Sequence, residues 1–290
     1  MKNMNRITLF VFPLLAMIFF VSCVQKWEPL FNGKDFDGWE VYLGVPDPSV
    51  DVPGMERNEE GVYTQPLGVN NDPLDVFTVT VEDGCPAIHV SGQIYGSLAT
   101  TKEYGNYHLR LQAKWGEKKW APRADLPRNS GLLYHGTGEF GKGLGVWKTS
   151  HECQIMETMF GDSYRMGETW CDITASRTNE NERYTFDRNA PKMRFGNRGR
   201  EFPAICSRNP MNEKPLGEWN TIELLCYEGT SVHVINGTVN MINNNSHLLI
   251  DGNEVPLVRG VIQLQSEGAE IFFRNIEISP ISKIPERYLQ

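Results

Sequence analysis

Three features of the 290-residue sequence predict an all-β fold of two antiparallel sheets, a sandwich or jelly roll. Short runs rich in β-branched and aromatic residues recur between Asp75 and Ser279, several with strict apolar/polar alternation. Glycine and asparagine punctuate them, and Asn236-Gly237 is a strong type I′ hairpin signal. No amphipathic helix of ten or more residues follows the N-terminal apolar segment, so the strand–helix alternation of a parallel sheet is missing. With 40% hydrophobic residues the chain can bury the core of one domain.

Residues 1–22 read as an export leader, with Lys2 and Arg6 ahead of an apolar run from Ile7 to Val21. Ser22-Cys23 at its end resembles a bacterial lipobox, which implies cleavage before Cys23, acylation of that thiol and a lipid-anchored tether over 23–29. The anchor is then the expected membrane contact, since nothing else approaches the ~20 apolar residues of a spanning helix. Val24 stands where an aspartate retains some lipoproteins at the inner membrane, which points to the outer membrane of the envelope. Without Lys2 and Arg6 the chain keeps 26 basic residues against 36 acidic, a net charge of −10, which argues against a nucleic-acid partner.

One domain is expected over 30–290. It opens on Leu30-Phe31-Asn32-Gly33-Lys34-Asp35 through Gly38-Trp39, where Gly33 and Gly38 mark turns. Asp35 and Asp37 suit turn-capping better than calcium, whose other oxygen ligands are not visible. Strands are predicted at Val76 to Val81, Ala87 to Val90, Ile94 to Thr101 and Tyr107 to Trp115. In the last, Tyr107, Leu109, Leu111, Ala113 and Trp115 face in, and His108, Arg110, Gln112 and Lys114 face out. A basic loop with Arg123 leads to the short strand Ser130 to His135. Gly136-x-Gly138-x-x-Gly141 follows, a literal dinucleotide fingerprint without the helix that would bind the phosphates, so a loop over a cleft is expected. Met166 to Thr174 is predicted as one strand, and the arginine-rich 176–217 as an aperiodic insertion forming a packed flap. The last third returns to strands at Trp219 to Tyr227, Ser231 to Ile235, Thr238 to Ile242, Gly260 to Ser266 and Ala269 to Ser279.

The candidate site centres on His151-Glu152-Cys153-Gln154-Ile155-Met156-Glu157-Thr158. In an extended strand Glu152 and Gln154 share a face, and Glu157 falls on the other unless a β-bulge intervenes. Paired carboxyls suit acid/base chemistry on a sugar. The run E-C-Q-I-M-E resembles the E-x-D-x-x-E strand of jelly-roll glucanases, with Gln154 replacing the central acid; solvated glutamates on an edge strand are the bland alternative. Five cysteines besides Cys23 leave at least one thiol unpaired, and Cys153 reads as a packing residue. No CxxC or HExxH occurs and no cofactor motif is evident, with a divalent metal left open.

Seven segments in order resemble the 3-keto-disaccharide hydrolase domain family: the Leu30 to Trp39 opening, Asn129-Ser130-Gly131-Leu132-Leu133-Tyr134-His135, Glu152-x-Gln154, Gly217-Glu218-Trp219-Asn220, Asn236-Gly237, Gly260-x-Ile262-x-Leu264-Gln265 and Phe273-Arg274-Asn275-Ile276. Asn129, where an acid often precedes Ser-Gly, and the long 176–217 insertion depart from the pattern. The resemblance implies a concanavalin A-like jelly-roll sandwich acting on an oligosaccharide or glycoside already oxidised at C3. A C3 ketone acidifies the C2 proton, so a base can form an enolate and expel the C1 substituent, after which water adds to the 2-hydroxyglycal. Glu152 held by Gln154 is the expected base, with His135 second, Glu157 as donor to the leaving oxygen and Arg274 or a flap arginine on the enolate. Tyr134, Trp147 and Arg123 are expected to line the substrate. The oxidation itself implies a separate sugar 3-dehydrogenase as pathway partner. Two alternatives stand beside this: a conventional retaining β-glucanase using Glu152 and Glu157, and a non-catalytic carbohydrate-binding lipoprotein stacking sugars on Trp120, Trp147 and Trp170.

Overall fold

In the strand Tyr107–Lys119 the side chains of Tyr107, Leu109, Leu111, Ala113 and Trp115 are all buried, as the alternation predicts. This apolar stripe forms the middle of a twelve-stranded sheet in the computed structural model, which describes residues 26–196 and 202–290. The expected leader and Cys23 lie outside the described residues. Asn220–Tyr227 pairs with one edge of this strand and Ala269–Pro280 with the other, both antiparallel. Outward, the sheet adds Thr230–Ile235, Thr238–Ile250 and Thr169–Ser176 on one side, and Cys85–Val90 and Phe77–Glu82 on the other. The Thr230–Ile235/Thr238–Ile250 hairpin turns at Asn236 (φ 49°) and Gly237 (φ 81°), the left-handed pair a type I′ turn requires.

The second sheet has seven strands in the order Ser163–Met166, Thr149–Met156, Asn129–Thr137, Val261–Ser266, Gly96–Thr100, Trp39–Leu43 and Gly68–Val69. Its inward side chains, among them Val41, Leu98, Leu132, Cys153, Ile155, Ile262 and Leu264, meet Leu109, Leu111, Ile222, Leu224, Ile271 and Phe273 of the larger sheet in one apolar core. The expected all-β sandwich of two antiparallel sheets is therefore the observed fold. At the opening turn, Asn32 Oδ1 accepts the Lys34 and Asp35 amides and Asp35 Oδ1 accepts the Asp37 amide, so these side chains cap the turn.

Three expectations are revised. Met166 to Thr174 is not one strand: Gly167, at φ 71° and with Thr149 Oγ1 2.6 Å from where a Cβ would sit, divides Ser163–Met166 of one sheet from Thr169–Ser176 of the other. The 176–217 insertion is not devoid of regular structure, since Thr185–Phe186 and Lys192–Phe195 both pair with Thr169–Ser176. Phe186 and Phe195 then bury with Cys171, Ile173, Cys206 and Met241 in a second cluster. His108 does point outward, but Trp27 and Tyr288 cover it and Glu223 Oε2 lies 2.8 Å from its Nε2. Cys85, Cys153, Cys171, Cys206 and Cys226 are all free thiols.

One end of the interior is polar. The Tyr134 hydroxyl lies 2.7 Å from Ser231 Oγ and 3.2 Å from His233 Nε2, bridging the sheets. His233 Nδ1–H donates to the Gly161 carbonyl at 3.0 Å, which leaves Nε2 as the acceptor for Tyr134 and Asn243. Nearby, His151 Nε2 is 2.5 Å from Ser246 Oγ, and the buried Arg165 guanidinium donates to Ser163 Oγ, the Tyr164 carbonyl, Cys171 Sγ and Asn243 Oδ1. Burial lowers His233 and His135 to about 4, and it pushes His151 well below the usual imidazole value, helped by the Arg165 charge.

These three histidines are neutral in the fold and cationic in the unfolded chain below pH 6.5, so protons favour unfolding in that window. The stability these histidines contribute is expected to be full above pH 6.5 and to fall steadily toward pH 4, each of His135 and His233 accounting for on the order of 2–3 kcal/mol of the loss. Thermal melts from pH 8 to pH 4 test this, and a His233→Gln variant should show a flatter profile over the same range.

Candidate functional site

The candidate residues Glu152 and Gln154 lie on the outer face of the seven-stranded sheet. Strand parity sends His151, Cys153 and Ile155 inward and leaves Ser150, Glu152 and Gln154 on the opposite face of Thr149–Met156. The cross-strand register extends this into two rows. Tyr164 pairs with Glu152, Glu152 with Leu133, Leu133 with Gln263 and Gln263 with Ala99. In the neighbouring row Gln154 pairs with Gly131, and Gln265 with Ser97, which pairs with Tyr42. One carboxylate is thus set among three amides, a hydroxyl and two tyrosines.

Gly131 makes the close approach possible. A Cβ there would lie 2.1 Å from Glu152 Oε1 and 2.4 Å from Gln265 Oε1, so both side chains lie across the strand where it has no side chain of its own. Glu152, Gln263, Gln265 and Ser97 have no exposed surface. Gln263 Oε1 accepts the Lys148 amide at 3.2 Å and the Ser97 hydroxyl at 3.4 Å. Its Nε2, both polar atoms of Gln265 and Oε1 of Gln154 have no hydrogen-bond partner among the described residues. A buried amide left unpaired costs ~1–3 kcal/mol, so this layer carries more polar groups than the fold itself uses. Beside it, Trp147 is buried with Leu133, Tyr164 and Met166, against Tyr95, Val146 and Ile205. Burial pushes the Tyr164 hydroxyl above the usual phenol value, opposed by the nearby Arg183 charge of the insertion.

Of the residues singled out from sequence, Glu152 and Gln154 share this face as expected. Trp147 borders it, but its Nε1 donates to the Gly96 carbonyl at 2.8 Å and the ring serves as a packed wall. Arg123 reaches the rim, with Nη1 4.0 Å from Glu267 Oε1 and Nη2 donating to the Pro127 carbonyl at 3.2 Å. Six others do not share this face. The ladder runs without a bulge from Gly131/Gln154 to Asn129/Met156, so Glu157 falls on the other side, where Arg128 holds it at 3.3 Å. His135 adopts φ 54° and turns into the interior, its Nδ1 donating to the Leu257 carbonyl; neutral and enclosed by Tyr107 and Tyr134, it is no second base for this face. Tyr134 points between the sheets. Arg274 lies on the outer face of the larger sheet, stacked 3.8 Å over Trp219 with Nε donating to Gln112 Oε1, and cannot reach an enolate beside Glu152. Trp120 donates to Ser91, and Trp170 is sandwiched with His247 and Arg194, so neither offers a free platform. Gln263 and Gln265 were not among the candidates, although two glutamines spaced i, i+2 and alternating with Ile262 and Leu264 are a polar stripe along the strand.

Among the described residues no cluster of three or more His, Cys, Asp or Glu side chains converges as a metal site. The 3-keto-alpha-glucoside-1,2-lyase-like domain profile matches residues 26–279. Solved structures similar to the chain include two provisional glycosyl hydrolases from Parabacteroides distasonis ATCC 8503. One has 20% identity and a TM-score of 0.45, covering 88% of this chain and 94% of its own. The other has 18% identity and the same TM-score, covering 88% and 100%. A Bacillus subtilis protein with a galectin-like fold has 11% identity and a TM-score of 0.42, covering 88% and 94%. No curated protein matches the sequence.

Glu157 belongs to a separate cavity of about 390 Å³ that it lines with Phe160, Arg208, Asn212 and Glu213. There burial pushes Glu213 up to about 7, against the Thr158 and Phe160 amides that favour its charged form. The folded state therefore holds a proton that the unfolded chain releases near pH 4.5, and stability from this residue declines as pH rises to about 7. Glu213→Gln should melt above the wild type at pH 8, with the difference closing toward pH 4.5; calorimetry at both values checks it.

Proposed function

The chain belongs to the 3-keto-alpha-glucoside-1,2-lyase-like family and is a carbohydrate-active protein, and we propose that it cleaves glycosides already oxidised at C3, with Glu152 as the base. The observation that carries this reading is the convergence of Glu152 and Gln265 over Gly131 in a layer of amides and aromatic rings. Glu152 takes the C2 proton, and the C–H electron pair moves into a C2–C3 double bond as the ketone oxygen becomes an enolate. Return of that electron pair restores the C3 ketone, forms the C1–C2 double bond and expels the C1 oxygen, which receives the proton from the Glu152 carboxyl. Water then adds at C1 while C2 regains a proton, giving the free 3-keto sugar. No oxocarbenium ion forms, so a second carboxyl beside the first is not required. A retaining glycosidase would need one ~5–5.5 Å away, and Glu157 lies on the opposite side of the strand. Since no part of Glu152 is exposed, the side chains enclosing it must part to admit a sugar.

The same proposal places the enzyme in the cell envelope, lipid-anchored through Cys23, and downstream of a sugar 3-dehydrogenase that supplies its substrate. Incubation with matched 3-keto and ordinary disaccharides, followed by NMR, should show glycal and free sugar only from the oxidised member. Glu152→Gln should lower turnover by about 10³-fold or more; near-wild-type turnover would exclude Glu152 as the base. Cys23→Ser should move the protein from the membrane to the soluble fraction of lysed cells, as followed by immunoblotting.

A further inference from the structure

The proposed reaction develops negative charge on the C3 oxygen, and Arg274, one cation expected to stabilise it, stacks on Trp219 on the far sheet. The outer face holds a different donor. Gln265 is fully buried, and neither its amide oxygen nor its nitrogen has a hydrogen-bond partner among the described residues. Its backbone is fixed, since its carbonyl accepts Ser130 Oγ at 2.8 Å and the residue pairs with Ser97 in the ladder. Only the side chain is uncommitted, and it meets Glu152 at the Gly131 gap, where the two side chains come within 2.1 and 2.4 Å of a single point.

We infer that the Gln265 amide is the oxyanion donor of the reaction, hydrogen-bonding the C3 oxygen of a 3-keto sugar while Glu152 removes the proton from the adjacent C2. This rests on the reading of Glu152 as base. The two reacting groups of the substrate, the C2–H and the C3 carbonyl, are neighbours, and so are the two protein groups that would meet them. With both amide ends free of partners, the N–H₂ can turn toward the substrate without breaking a bond. A neutral donor also suits a site with a carboxylate base: an arginine or lysine in the same place would pair with Glu152 and lower its basicity, whereas an amide donates without that cost. The donor stands in a buried layer, where its dipole acts more strongly than it would in water. No group is oxidised or reduced; the proton moves from C2 to Glu152, and the electron pair it leaves is held on the C3 oxygen against the Gln265 N–H.

A C1-deoxy 3-keto-glucose analogue, which can enolise but has no leaving group, separates this step from elimination. In D₂O the wild type should exchange the C2 hydrogen for deuterium, followed by proton NMR, and Glu152→Gln should not. Gln265→Leu should slow both exchange and turnover of the 3-keto disaccharide by about 10²–10³-fold, with the loss in kcat and KM changed less, while its thermal melt stays at or above the wild-type value. If Gln265→Leu does not fold, Gln265→Met is read the same way. Wild-type protein that turns over the disaccharide without exchanging the analogue, or exchange that survives Glu152→Gln, overturns the reading of Glu152 and this inference with it. Wild-type exchange that Glu152→Gln abolishes, together with a Gln265 variant within threefold of wild type or one whose loss lies wholly in KM, overturns the inference alone.

Discussion

Alternation along a single strand governs this molecule. Thr149–Met156 must seal the interior and furnish the outer face at once, and it does so because consecutive side chains leave a strand in opposite directions. Cys153 and Ile155 enter the apolar core while Glu152 and Gln154 stand among amides. A slip of one residue in its pairing with Asn129–Thr137 would put the carboxylate between the sheets and the aliphatic groups outside. The register that prevents this is held from both flanks, by Ser163–Met166 and by Asn129–Thr137.

The two faces of the seven-stranded sheet treat polarity differently. Between the sheets, Tyr134, His233, Ser231 and Asn243 are paired into one network that crosses the sandwich. Each member anchors one sheet to the other, and burial keeps the histidines neutral. On the outer face, equally buried glutamines keep unpaired donors and acceptors beside a carboxylate. The contrast separates polar groups that hold the fold from polar groups held by it, a distinction burial alone does not make.

Much of the architecture was legible in the residues. The strict alternation of Tyr107–Lys119 and the Asn236-Gly237 turn named their elements because each depends on local chemistry alone. The shared face of Glu152 and Gln154, and the exclusion of Glu157 from it, likewise followed from parity once no bulge intervened. What failed depended on distant structure. His135 left its strand's alternation through a left-handed backbone angle that histidine does not advertise, and Arg274 lay on a strand whose outward face turned out to belong to the larger sheet. Gln263 and Gln265 escaped notice because all six residues of Val261–Ser266 are buried, and sequence does not say which side of such a strand looks into a site.

The thiols have a consequence for how the protein can be handled. Cys153, Cys171, Cys206 and Cys226 are fully enclosed, and burial raises each above the ordinary cysteine value, so little reactive thiolate is available to an oxidant. Cys85, on a hairpin of the larger sheet away from Glu152, is the one partly accessible thiol among the described residues. Among the described residues no disulfide cross-links the fold, and Cys85 is its natural handle for attaching a fluorophore.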